Sequence, residues 1–326
     1  MRMIRKTLVA ALCCTLPWLA ANVQAQDYPS KPIRFILPYT TGGLGDTVAR
    51  AMAQHLSQRL GQPVVVENRP GGSQVIALDA TAKSAPDGHT IAYGTQSGMI
   101  FTTATKKSLP YDPLKDFASI STLFTTPFYL IVHPSVPAKS VQELIAYAKA
   151  NPGKLSFASI GLGSGQHLAM ELFRAKTGVE LLHVPYKGSA PASVDLASGR
   201  VQVMFEGPGT GLPAIRAGRV RPLGSSGTER TASLPDLPTV QESGVAGYEI
   251  TPWFGLQTVA GVPRPIVDRL NQEVRQWLGM AETREKLAKK LSLELMPSTP
   301  DEMTERIRRE MPIFTKLIRA AGIAPE

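Results

Sequence analysis

The chain has 326 residues, 35 Lys and Arg against 26 Asp and Glu, and a formal net charge of +9. That length suffices for two lobes of ordinary domain size, and 2 cysteines are too few for a disulfide-built scaffold. The basic residues are scattered and not interleaved with aromatics, which argues against nucleic acid as a partner and fits mild attraction of anionic solutes.

The first segment sets the expected compartment. Arg2, Arg5 and Lys6 form a basic start, and Leu8 to Leu19 is largely apolar but too short to span a bilayer. Val23-Gln24-Ala25 then offers small residues for cleavage. This pattern predicts a secretory signal peptide over residues 1–25, cleaved near Ala25, and a mature chain in the periplasm. Pro17 and Asn22 argue against a membrane anchor, and Leu12 before Cys13 argues against a lipoprotein. Cleavage removes Cys13 and Cys14, so the mature chain has no thiol and no Cys-based metal site. It also removes Arg2, Arg5 and Lys6, lowering the net charge from +9 to +6.

Strand candidates follow in order: 33–38, 64–67, 90–94, 128–133, 155–159, 181–185, 201–206, 220–225 and 254–259. Several are continuous aliphatic runs, as in strands buried on both faces. Helical patterns lie between them. In Asp46 to Leu60 the apolar residues Val48, Met52, Leu56 and Leu60 recur every four positions. Ser140 and Glu143 read as a capping box opening a helix with Leu144, Ile145 and Ala148. Ile266, Leu270, Val274 and Trp277 mark another helix, and Pro300 to Ala321 reads as a terminal helix bent or interrupted at Pro312. Strands alternating with helices predict an α/β protein whose lobes hold mostly parallel sheets flanked by helices.

Two stretches share one design. Ile33 to Leu37 leads into Pro38-Tyr39-Thr40-Thr41-Gly42-Gly43-Leu44-Gly45-Asp46, and Leu155 to Ser159 leads into Ile160-Gly161-Leu162-Gly163-Ser164-Gly165-Gln166-His167. Each is an apolar run, a turn of glycines and small hydroxyl residues, and a helix start. Such a turn leaves backbone N–H groups unpaired with the positive helix end behind them, which is an anion cradle. Two cradles far apart in one chain can close on one small anion. Neither contains Lys or Arg.

Enzyme signatures are largely missing. The five histidines His55, His89, His133, His167 and His183 show no metal-ligand spacing, and no nucleophile elbow, Walker lysine or complete dinucleotide fingerprint occurs. No metal or cofactor is predicted, and no catalytic residue. The candidate ligand-binding residues are Tyr39, Thr40, Thr41, Gly42, Gly43, Asp46, Ser97, Ser159, Gly161, Gly163, Ser164, His167 and Glu206. Asp46 reads equally as a helix-capping acid and as an acceptor for a ligand donor or bridging water. His167 reads as a capped, partly buried histidine or as a neutral donor. Ser97 and Glu206 sit at the carboxyl ends of strands, where open α/β sheets bind ligands; for Glu206 a solvated surface acid is the simpler reading.

Several motifs resemble the Bug family of extracytoplasmic solute receptors, the substrate-binding proteins of tripartite tricarboxylate transporters. They are Tyr28-Pro29-Ser30-Lys31-Pro32-Ile33-Arg34, Pro38 to Gly43 with Asp46, Val65-Val66-Glu67-Asn68-Arg69-Pro70-Gly71-Gly72, Pro86-Asp87-Gly88-His89-Thr90, Leu109 to Phe117, His183 to Gly188 and Gly261-Val262-Pro263. They cover essentially the whole mature chain in the expected order. The resemblance implies a two-lobed periplasmic binding protein of the Venus flytrap type, without catalysis, whose two glycine-rich loops hold ligand carboxylates with ordered waters. It implies a small organic acid as ligand and an integral-membrane permease as partner. One departure stands out: where the family usually has proline before Gly-Gly, this chain has Thr40-Thr41. We expect a monomer with one lobe over 26–124 and 224–326, the other over 125–223, and hinges near 120–128 and 218–228. Two other readings share the same site: a periplasmic enzyme using Ser97 or Ser164 with His167, and a ligand-sensing receptor for a signalling partner.

Overall fold

The architecture is that of a computed structural model whose described residues are 28–291, 293–320, 323 and 325; the predicted signal peptide lies outside them. In chain order the regular elements are β1 (Ile33–Leu37), α1 (Leu44–Leu60), β2 (Val64–Asn68), α2 (Val75–Ala82), β3 (Thr90–Tyr93), α3 (Thr102–Thr105), β4 (Phe117–Thr125), β5 (Tyr129–Val132) and α4 (Val141–Ala150). Then come β6 (Ser156–Ser159), α5 (Gly165–Thr177), β7 (Leu182–Pro185), α6 (Ser189–Ala197), β8 (Val203–Glu206), α7 (Pro208–Arg216), β9 (Arg221–Ser225), β10 (Trp253–Val259), α8 (Arg264–Gly279), α9 (Ala281–Arg284), β11 (Glu294–Leu295) and α10 (Pro300–Ala320).

The strands form two sheets, ordered β11-β4-β10-β3-β1-β2 and β7-β6-β8-β5-β9. Helical crossovers make β1 parallel to β2 and β3, and β6 parallel to β7 and β8. One inserted strand in each sheet reverses this. β10 lies antiparallel between β3 and β4, and β5 antiparallel between β8 and β9. These two strands enter directly from the other sheet, with no helical crossover to turn them parallel. The short edge strand β11 is also antiparallel to β4.

All nine expected strands fall on observed ones. β4 was not legible, because Phe117-Ala118-Ser119-Ile120-Ser121-Thr122-Leu123-Phe124-Thr125 interleaves too many hydroxyl residues. Those hydroxyls are nonetheless buried and satisfied: Ser121 donates to the Ser298 carbonyl (3.0 Å), Thr122 to that of Met296, and Thr125 to that of Pro252 (3.0 Å). Hydrogen bonding, not apolarity, makes this strand tolerable inside.

The helices form for identifiable reasons. α1 buries Val48, Met52 and Leu56 against the first sheet and stops at Gly61, whose φ of 73° suits a glycine C-cap. At α4 the Ser140 hydroxyl accepts the Glu143 N–H (3.1 Å), while the Glu143 carboxylate accepts the Lys139 N–H (2.7 Å). α10 runs unbroken through Pro312, where a bend or an interruption was expected. One missing backbone bond is outweighed by the buried anchors Met303, Ile307 and Ile318 on either side.

A continuous apolar cluster joins the sheets, from Met99 and Phe101 through Phe128 to Phe157, Phe173 and Phe205. The chain crosses between sheets at Thr126–Phe128 and again between β9 and β10. The crossings are tied together: Phe128 N–H donates to the Ser226 hydroxyl and Ser226 N–H to the Phe128 carbonyl, both at 2.8 Å.

Candidate functional site

A cavity of about 50 Å³ lies between the two sheets, beyond the carboxyl ends of β1, β3, β6 and β8. Tyr39, Thr40, Gly43, Leu44, Gly45, Thr95, Ser97, Trp253 and Phe254 line it from the first sheet's side. Ile160, Gln166, Ser189, Glu206 and Gly207 line it from the second, with Thr126, Phe128 and Pro252 at the crossings. No lysine or arginine is among these residues.

Four helix N-termini converge on this space. Gly43 is the N-cap of α1, and the N–H groups of Gly43, Leu44 and Gly45 have no protein acceptor among the described residues. Gly42 before them sits at φ 85°, a turn conformation that side chains rarely adopt. From the other sheet, Gln166 belongs to the first turn of α5, Ser189 opens α6, and Gly207 is the N-cap of α7. Each helix start carries roughly +0.5 of an elementary charge. The arrangement supplies positive potential and unpaired donors without any cationic side chain.

The lobes meet around the cavity. Gly165 N–H of α5 donates to the Ser97 hydroxyl across it (3.1 Å). A side chain at Gly188 would collide with Thr40, and one at Gly209 would lie 2.7 Å from the Leu44 Cα. Tyr39 is held from below: its hydroxyl accepts from the Gln74 amide (3.2 Å), whose oxygen accepts the Thr95 hydroxyl (2.7 Å). Gln74 does this from a φ of 83°, a conformation unusual for a non-glycine residue.

Asp46 is buried beneath the first loop and does not line the cavity. Its carboxylate accepts the Gly42 N–H (3.0 Å), the Arg50 guanidinium (2.9 and 3.0 Å) and the Asn68 amide (3.0 Å). Burial raises its pKa, but these donors outweigh burial and leave it below the ordinary carboxylate value. Asp46 therefore clamps the loop. Thr41 and Gly42 shape the turn without lining the cavity.

The second loop divides in the same way. Ser159, Gly161, Gly163, Ser164 and His167 are absent from the cavity wall, which the loop reaches through Ile160 and Gln166. The Ser159 hydroxyl pairs with His183 Nε2 (2.6 Å) and accepts the Gly161 N–H (3.1 Å). His167 Nδ1 accepts the Gly163 N–H (3.2 Å), and its ring packs 4.6 Å from that of His183. Burial, the neighbouring His183 and Arg174 push His167 down to about 3; burial and Arg174 push His183 down to about 4. Both are neutral braces at physiological pH. Among the described residues the His167 ring bonds to neither the Ser97 nor the Ser164 hydroxyl.

Glu206 is the one acid on the cavity wall, and it is only 1% exposed, not the solvated acid its sequence context favoured. Its Oε1 accepts the Gly207 N–H (2.7 Å) and the Ser189 hydroxyl (3.0 Å), its Oε2 accepts the Ser193 hydroxyl at 3.4 Å, and the Thr210 hydroxyl lies close enough to stabilise the ionised carboxylate. Burial pushes it up to about 7, with the Gly207 N–H and Ser189 hydroxyl pulling the other way.

Of the expected residues, Tyr39, Thr40, Gly43, Ser97 and Glu206 therefore meet at one cavity. Sequence reasoning missed Ser189 and Gly207, although Gly188-Ser189 and Gly207-Pro208 repeat the glycine-then-helix design after β7 and β8. It also missed Trp253 and Phe254, for which the sequence carried no signal.

The chain matches the model of the tripartite tricarboxylate transporter family receptor over residues 48–323. It is similar to protein BugT of Bordetella pertussis, with 36% identity over 323 residues covering 99% of each chain. Among solved structures it is similar to an R. palustris protein determined with adipate, with a TM-score of 0.88 and 37% identity over 92% of this chain and 100% of that one. It is also similar to MatC from Rhodopseudomonas palustris with bound malate, with a TM-score of 0.85 and 30% identity over 89% and 100%. These neighbours share the two-lobed α/β architecture.

Proposed function

Because the chain belongs to the tripartite tricarboxylate transporter receptor family, we propose that it captures a small organic carboxylate between its lobes and delivers it to an integral-membrane permease. The family is one of solute-binding receptors, not of enzymes. The observation that carries the reading is the convergence of four helix N-termini on one cavity without a cation. Unpaired N–H groups at a helix start bind carboxylate oxygens directly. That similar proteins were solved with adipate and malate supports a carboxylate as the ligand class.

Capture works by closure. A carboxylate first meets the α1 amides, and residues at the starts of α5, α6 and α7 reach the rest of the ligand only when the lobes come together. The ligand thus favours the closed state through the contacts it gains there. The lobes comprise 26–124 with 224–326, and 125–223, and the crossings near 120–128 and 218–228 hinge between them. The permease reads the closed form of a monomeric receptor. Mature protein beginning near Gln26 places it in the periplasm, where relatives of the family act as binding proteins; mass spectrometry of the exported protein checks that start.

Calorimetry and thermal shift against a panel of organic acids test the proposal. A ligand at 100 times its dissociation constant stabilises the fold by about 2.7 kcal/mol. Saturable 1:1 binding of at least one carboxylate is expected. Conversion of the acid to product, or binding only of cationic or neutral solutes, contradicts it.

A further inference from the structure

The cavity has two unlike ends. At one, α1 offers the N–H groups of Gly43, Leu44 and Gly45, all donors. At the other stands Glu206, an acceptor once ionised, buried and free of any ion pair among the described residues. Its Oε1 is fully used by Gly207 and Ser189, whereas Oε2 has a long contact to Ser193 and the Thr210 hydroxyl makes no bond of normal geometry, so the carboxylate can exchange these weak contacts for a better-placed ligand donor. A ligand with a carboxylate at each end would bring a second negative charge against this acid with no lysine or arginine to offset it. The space is also small. Its volume of about 50 Å³ is well below the ~150 Å³ cavity that accepts benzene.

Resting on the carboxylate-receptor reading above, we propose that Glu206 is the specificity-determining residue. It selects a short monocarboxylate bearing a hydrogen-bond donor, hydroxyl or ammonium, and rejects dicarboxylates. The carboxylate sits at the α1 amides and the donor points at Glu206 Oε2. A group built to accept a ligand donor rejects the analogue lacking it more strongly than an apolar pocket rejects a missing methylene, because the unmatched polar group stays buried and unpaired. Ser189 is a positioning residue here, since its hydroxyl holds Oε1 and leaves Oε2 to the ligand.

Calorimetry on the mature protein decides, with lactate, alanine, propionate and succinate as probes on wild type and Glu206→Gln. Wild type is expected to bind lactate or alanine at least tenfold tighter than propionate and than succinate. Lactate above alanine assigns a hydroxyl donor, and alanine above lactate an ammonium. Glu206→Gln is expected to shrink the lactate or alanine preference over propionate to under threefold and to improve succinate binding. Succinate binding wild type more tightly than lactate and alanine overturns this inference and leaves the carboxylate-receptor reading standing. Binding of none of the four, with binding of a longer carboxylate, does the same. Failure of every carboxylate overturns both. The wild-type ranking alone suffices if the variant does not fold.

Discussion

Gly209→Ala separates closure from folding. Gly209 lies in the first turn of α7 without a positive φ, so alanine fits its backbone. Replacing glycine by alanine within a helix favours the helix by about 0.8–1 kcal/mol, which stabilises the second lobe by itself. With the lobes apposed as in this structure, however, the new Cβ meets the backbone and Cβ of Leu44 at 2.7–2.8 Å, where ordinary contact begins near 3.4 Å. Leu44 is the first residue of α1 and cannot move without the helix. Overpacking of this kind costs about 1–3 kcal/mol, and only the closed state bears it. Affinity should therefore fall by roughly 5- to 150-fold, at 1.4 kcal/mol per tenfold, while the urea midpoint of ligand-free protein stays level or rises. Calorimetry and urea melts on the same preparation read both quantities. Unchanged affinity refutes the argument that ligand is held by apposition of α1 and α7. A parallel drop in stability would show instead that the contact belongs to the fold of the free protein.

Other consequences follow from the same geometry. Asp46→Ala removes the acceptor for Gly42, Arg50 and Asn68; because Arg50 is half exposed its ion pair adds little, and urea unfolding should show a loss of about 2–3 kcal/mol, the scale of hydrogen bonds to a buried charge. Asp46→Asn should recover part of that and leave the ranking of ligands unchanged. Glu206 is raised to about 7 in the folded chain against about 4.5 unfolded, so the stability linked to it is complete below pH ~4.5 and lost as pH rises through about 7, by roughly 3 kcal/mol at one pKa unit per 1.36 kcal/mol; Glu206→Gln should flatten that limb of the urea midpoint profile. His167 and His183 are lowered to about 3 and about 4, so their contribution is present above pH ~6.5 and lost as pH falls through about 4 and then 3, which the acid limb of the same profile should show. Ligand affinity should change only modestly with salt, because the donors are uncharged and buried contacts are weakly screened; a collapse of affinity across a moderate salt range would point to a surface basic patch.

The strand pattern was readable because most strands are aliphatic runs closed by glycine or proline. β4 escaped because its Ser and Thr hydroxyls are satisfied by carbonyls more than a hundred residues away, such as those of Met296 and Ser298, and no local pattern reports such partners. The two glycine-rich loops were legible as helix starts, and the first does open onto the cavity. Which atoms face inward was not legible. Asp46 and His167 stand in the right loops yet spend their polar atoms on Gly42, Arg50, Asn68 and Gly163. Glu206 reads as a surface acid until the second sheet and α7 are seen to enclose it. Trp253 and Phe254 reach the cavity only because β10 returns from the far lobe and inserts beside β3, a fact of topology that no window of sequence contains.

The central claim is that a carboxylate is held by backbone amides at converging helix starts. A crystal structure of the mature protein with the tightest-binding carboxylate from the calorimetric panel tests it most directly. The account predicts carboxylate oxygens within 2.7–3.2 Å, the normal hydrogen-bond range, of the N–H groups of Gly43, Leu44 or Gly45, directly or through one water, with the lobes closed over the ligand. A carboxylate paired instead with a lysine or arginine outside this cavity would contradict it.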